Sequence, residues 1–160
     1  MRAREIRRRL VAVLVVMSSL ASWPAVADDA AAYDAVIARA LKLLPRQPEK
    51  VTLVDAHARP GLLSERHVEA FVTHGERVVY LVRQGVTLQQ ALKGAGVFDC
   101  ALATVIWHEM AHIDGADETK AQLAEEKLWE EFVLARRVDS ASGLRYLALL
   151  KKRRELQSQR

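Results

Sequence analysis

Cysteine is almost missing from this chain of 160 residues: Cys100 is the only one, so no disulfide can form within it. Any apolar run of the ~20 residues that a bilayer-crossing helix requires is also missing. The longest candidate, Leu10 to Ala21, is much shorter. Internal repeats and low-complexity stretches are absent, which excludes a repeat array. The lone cysteine opens an apolar stretch, where it packs as a small hydrophobe. Nothing beside it in sequence is suited to activating a thiolate nucleophile.

Net charge is lacking as well, once its source is located. The chain is formally +4, from 24 basic and 20 acidic residues. Residues 1–27 hold five Arg and one Glu, which leaves 19 charges of each sign in the remainder. That neutrality removes any argument for nucleic acid as a partner. The basic run Lys151-Lys152-Arg153-Arg154 reads as a solvated helix end.

The first 27 residues have their own logic. An Arg-rich opening, a short apolar core and Ala25-Val26-Ala27 follow one another in the order of a secretory signal peptide. Cleavage after Ala27 is expected, with export to the periplasm or beyond and no stable membrane anchor left behind. Residues 28–160 are then long enough for one domain and too short for two.

Helical spacing of Tyr33, Val36, Ile37, Ala40, Leu41 and Leu44 predicts a helix over Ala30 to Leu44, ended by Pro45 and Pro48. Val51 to His57 reads as a strand before the turn at Arg59-Pro60-Gly61. Val68 to Thr73 and Arg77 to Val82 read as two strands of a hairpin joined at His74-Gly75-Glu76. Thr87 and Gln90 match a capping box for a short helix closed by Gly94. Asp99 is expected to cap a helix from Cys100 to about Ile113 that is apolar nearly all round and therefore buried. Gly115 breaks it, and Asp117 is the expected N-cap of a helix reaching about Arg137. A break at Ser140 to Gly143 precedes a last basic helix from Leu144. The fold class is α+β.

His108-Glu109-Met110-Ala111-His112 lies inside the apolar helix. Residues four apart stack on one helix face, so both imidazoles can reach a single metal ion. Glu109, about 100° round from His108, is placed to deprotonate a water at the open metal position. Two imidazoles and a carboxylate suit zinc. On the next helix Glu118 and Glu125 sit in the apolar stripe of Ala121, Leu128 and Phe132. They are about 10 Å apart along the axis, so only one can be the third ligand. Glu118 is favoured, because Gly115 lies midway between it and His112; Glu125 is the runner-up, and the loser would hydrogen-bond a ligand histidine. Glu126, Glu130 and Glu131 read as solvated charges.

These residues resemble the zincin superfamily of metallopeptidases. His108 and His112 fall on its histidine ligands and Glu109 on its catalytic glutamate. Glu118-Thr119-Lys120-Ala121-Gln122 is similar to the ExxAD-like sequence of the gluzincin branch, with Gln122 at the acidic or amide position. The run HEMAHIDGADE also resembles the compact HExxHxxGxxH motif of metzincins with Glu118 at its third-ligand position, but no methionine follows Met110 to make a Met-turn. The resemblance covers residues 108–137. It implies a minimal zincin-like domain, with a small antiparallel or mixed sheet packed on a buried active-site helix and a following glutamate helix. It also implies a cleft bordered by an edge strand, for which Arg77 to Val82 is the candidate.

The activity implied is zinc-dependent hydrolysis of peptide bonds in an exported peptide, protein or peptidoglycan peptide substrate. His57, His74, Tyr80 and Tyr146 are candidates for the oxyanion donor, whereas His57 and His67 also fit surface histidines. Trp107 and Trp129 fit core packing. The rival reading is a non-catalytic exported metal-binding or partner-binding protein on the same scaffold, or a subunit active only in a complex.

Overall fold

The computed structural model describes residues 25–58, 68–94 and 96–158. The expected leader lies outside them except for its last three residues, which open helix α1 (Ala25–Leu41). His67 and the Arg59-Pro60-Gly61 turn also lie outside them. The chain continues through β1 (Lys50–Val54), a single 3-10 turn (Ala56–Ala58), β2 (Ala70–Val72) and β3 (Val78–Val82). Four helices follow: α2 (Val86–Leu92), α3 (Gly96–Ile113), α4 (Glu118–Leu134) and α5 (Ser140–Ser158). The class is α+β. No described helix is long and apolar enough to cross a membrane.

The expected β2–β3 hairpin is present, turned at Gly75 with φ 81° and closed by the Glu76 N–H to Thr73 carbonyl bond. The strand order is β1-β3-β2, with β3 parallel to β1 and antiparallel to β2. The expectation that Arg77 to Val82 is an edge strand is therefore wrong: β3 is central and hydrogen-bonded on both sides. Val79 and Leu81 explain its place, since both are fully buried and need neighbours on either side. The edge beside the cleft is β2.

Alternation puts Val79 and Leu81 of β3, Val51 and Leu53 of β1, and Ala70 and Val72 of β2 into the core. Helix α3 occupies its centre, buried at Cys100, Leu102, Ala103, Ile106 and Met110, with α1, α2, α4 and the sheet around it. Cys100 packs as expected, and burial pushes its thiol above the usual range.

Several helix ends differ from expectation, each for a long-range reason. Thr87 does not cap α2. Gly85 precedes the helix, and the Glu69 carboxylate accepts the Val86 and Thr87 N–H groups at 3.1 and 3.0 Å. A Cβ on Gly85 would sit 2.8 Å from that carboxylate and 3.0 Å from the Val82 carbonyl oxygen, so glycine eases the close approach. Asp99 is not a cap either. Helix α3 begins at Gly96, and Asp99 in its first turn forms a two-pronged ion pair with Arg39 of α1 at 2.9 and 3.0 Å. Asp117 does cap α4, accepting the Lys120 N–H at 2.9 Å. That helix ends at Leu134, where Arg136 turns left-handed with φ 56° and the Arg137 N–H reaches the Phe132 carbonyl.

Residues 140–143 are not a break. Helix α5 starts at Ser140 behind an Asp139 cap and runs through Gly143. The glycine marks a helix crossing: its carbonyl accepts the Trp129 indole N–H at 2.8 Å, and a Cβ there would lie 2.5 Å from Val133 Cγ2. The basic run on α5 is not a free solvated end. Lys151 pairs with Glu130 at 3.1 Å, Arg153 with Glu125, and Arg154 with Glu126 through two contacts of 2.7 and 3.3 Å. Glu126, expected among the solvated charges, is buried by that pairing.

Candidate metal centre

His108 and His112 project from one face of α3, and the turn that ends the helix brings Glu118 to them. Gly115 takes φ 88° there, and the Ala116 N–H returns to the Ala111 carbonyl at 2.9 Å. The chain thus reverses within a few residues and starts α4 at Glu118, whose negative charge suits a helix N-terminus.

His112 Nε2 is 3.2 Å from His108 Nε2 and 3.2 Å from Glu118 Oε2, and His108 Nε2 is 3.6 Å from that same oxygen. Zinc bound tetrahedrally by nitrogen and oxygen at about 2.0–2.1 Å sets its donor atoms about 3.3–3.4 Å apart. The triangle of side chains has that size. Among the described residues it is also the one group of three or more such side chains whose donor atoms converge in this way.

The far nitrogen of His112 fixes its tautomer. His112 Nδ1 is 2.9 Å from the Ala116 carbonyl, which can only accept, so Nδ1 carries the proton and Nε2 offers a lone pair. His108 Nδ1 lies 3.2 Å from Glu125 Oε2, an ionic contact without the alignment of a good hydrogen bond. The His112 lone pair and the Glu118 carboxylate oxygen thus converge with His108 Nε2 across 3.2–3.6 Å. The group could hold a metal ion, and two imidazoles with a carboxylate are a donor set that suits zinc.

Electrostatics around the site follow from burial and these contacts. Burial lowers the His108 pKa, but the Glu125 carboxylate, aided by Glu109 and Glu118, outweighs it and holds the imidazole above its ordinary value. Glu109 is pushed up by burial, against the pull of His108 and His112. Burial would raise Glu118 too. The Gln122 amide, donating to Glu118 Oε1 at 2.7 Å, and the two histidines reverse the sign and leave it below the usual carboxylate range.

His108, Glu109, His112 and Glu118 line the floor of a cleft of about 740 Å³. Its opposite wall is β2 with the hairpin turn, residues 70–77. Of the four oxyanion candidates only His74 lines it. His57 sits on the 3-10 turn, and Tyr80 stacks on Phe71 and donates to Glu76 Oε2 at 2.6 Å. Tyr146 packs on Trp129 with ring centroids 4.3 Å apart, its pKa pushed up to about 12 by burial. Arg77 also lines the cleft, tied to Glu49. Sequence reasoning passed over Arg77, and it missed the anchoring of Glu118 by Gln122 and of Glu125 by Arg153. The last had a signal: the doublets Glu125-Glu126 and Arg153-Arg154 flank a short turn between helices that must run back along each other.

Glu125 is not part of the donor triangle: its Oε2 lies 3.2 Å from His108 Nδ1, on the other side of that ring, without the hydrogen bond to a histidine that was expected of it. The chain matches no protein-family model, and comparison with curated proteins and with solved structures gives no match.

Proposed function

We propose that the protein is an exported zinc-dependent hydrolase of peptide bonds, a small zincin-like metallopeptidase with a compact HExxHxxGxxE site. The observation that carries the reading is the donor triangle of His108, His112 and Glu118 on the floor of an open cleft, with Glu109 beside it. Export is carried only by the charge and hydropathy pattern of residues 1–27.

Zinc held by those three side chains would polarise a substrate carbonyl and lower the pKa of water to about 7. Glu109 is the proton carrier. Its raised pKa suits a group that must take a proton from the attacking water and then release it to the leaving amine. Glu125 and the Ala116 carbonyl orient the two imidazoles, and Gln122 orients Glu118. The outer edge of β2, which pairs with no further strand among the described residues, is suited to hold an extended peptide by strand addition, and His74 faces the same cleft as a donor for the developing oxyanion.

The test is cleavage of a mixed peptide pool, read by mass spectrometry, with zinc-loaded wild type and Glu109→Gln. Cleavage by wild type and a loss of about 10²-fold or more in Glu109→Gln, with zinc retained, is expected. Equal cleavage by both removes Glu109 from the chemistry. A zinc-bound wild type that cleaves nothing in the pool favours the non-catalytic reading.

A further inference from the structure

The ion pairs between α4 and α5 look alike in kind but not in position. Arg154 and Lys151 hold Glu126 and Glu130, and neither carboxylate touches a residue of the donor triangle. Arg153 holds Glu125, whose same oxygen, Oε2, also lies 3.2 Å from His108 Nδ1. The Glu125 side chain is 2% exposed, and its other oxygen has no hydrogen-bond partner. One buried anion is thus shared between a guanidinium on the last helix and an imidazole on the central one. Arg153 itself is 45% exposed, so its charge is delivered to the site from the protein surface.

Resting on the metal-centre reading above, we propose that Arg153 is a positioning residue for the metal site. It fixes the Glu125 carboxylate against His108 Nδ1, so that docking of α5 and metal binding are coupled. A buried carboxylate whose Oε2 is held by a permanently charged group is kept turned toward His108. A carboxylate that turns away from Nδ1 lets the His108 ring rotate and unmakes the triangle. Partners behind a ligand histidine are typically worth ~10–100-fold in metal affinity, and loss of Arg153 belongs at the lower end because Glu125 itself remains. By linkage, zinc that tightens when α5 is docked must also tighten the docking of α5.

The experiment is zinc affinity of the full chain by chelator competition, with the visible spectrum of the cobalt(II)-substituted protein beside it. Arg153→Gln is compared with Arg154→Gln, which breaks an equivalent tie between the same two helices, and with Arg153→Lys. About tenfold weaker zinc and a shifted cobalt spectrum are expected for Arg153→Gln. Affinity within about twofold and an unmoved spectrum are expected for Arg154→Gln, and substantial rescue for Arg153→Lys.

Equal losses in the two Gln variants would overturn the proposal, since any loosening of α5 would then suffice. Unchanged affinity in Arg153→Gln alongside a loss in Glu125→Gln would overturn it while leaving the metal site standing. A wild type that binds no zinc overturns both. Should Arg153→Gln fail to fold, the wild type carries the test: zinc is expected to slow amide exchange over residues 150–156 more than in α1. Equal slowing overturns the coupling.

Discussion

Replacing Gln122 by Leu tests how the third ligand is held. Gln122 is 1% exposed, and its amide donates to Glu118 Oε1 at 2.7 Å while Glu118 Oε2 faces the two imidazoles. The substitution keeps the buried volume nearly constant and deletes the donor. A hydrogen bond to a charged acceptor is worth ~1.5–3 kcal/mol. The Glu118 side chain is 52% exposed, so water takes over part of the lost contact and the lower end applies. About 1.5 kcal/mol is close to a factor of ten in a binding constant. Zinc affinity by chelator competition should therefore fall about tenfold in Gln122→Leu. The urea midpoint of the metal-free variant, measured alongside, shows whether the fold is kept. An intact fold with unchanged zinc affinity would refute the idea that Gln122 positions Glu118.

Gly143→Ala sets two effects against each other. Alanine in a helix gains ~1 kcal/mol over glycine, but overpacking costs ~1–3 kcal/mol, and the new Cβ would lie 2.5 Å from Val133 Cγ2 beside a carbonyl pinned by Trp129. Net destabilisation of about 1 kcal/mol is expected from urea unfolding, and a stabilised variant would show that the crossing is looser than described. Tyr146 makes stability depend on alkaline pH. Its phenol is raised from about 10 to about 12, so between those values the unfolded chain has released a proton that the folded chain retains, and stability falls as pH rises. The loss should approach ~2–3 kcal/mol between pH 9 and 12. Tyr146→Phe keeps the ring on Trp129 and should remove that part of the slope; an unchanged slope would place its origin elsewhere.

What was legible in the sequence was local. His108, Glu109 and His112 are set by helical spacing alone, and Gly115 with Asp117 marks a reversal that needs a left-handed residue and then a cap. Glu118 was favoured over Glu125 because Gly115 lies midway between it and His112, and it is the Glu118 oxygen that lies against both imidazoles. Partners supplied from elsewhere in the chain were not legible. The cap assigned to Thr87 failed because Glu69 arrives from a distant element to take that end of the helix, and the one assigned to Asp99 because its helix already starts at Gly96, leaving Asp99 to pair with Arg39. Strand order failed likewise: burial of Val79 and Leu81 on β3 depends on where β1 and β2 settle, which periodicity within one strand does not encode. Gly143 reads as a helix breaker by propensity, and only the approach of Val133 and Trp129 shows it to be a contact point. Glu126 and the 151–154 run each look solvated until α4 and α5 are laid side by side.

The most direct measurement is the zinc content of the purified chain after zinc-replete preparation and removal of loosely bound metal, for wild type, His112→Ala and Glu118→Ala. One zinc per chain in wild type, none in His112→Ala and a marked loss in Glu118→Ala is the result expected from the donor triangle. Metal-free wild type, or zinc undiminished in His112→Ala, would contradict it.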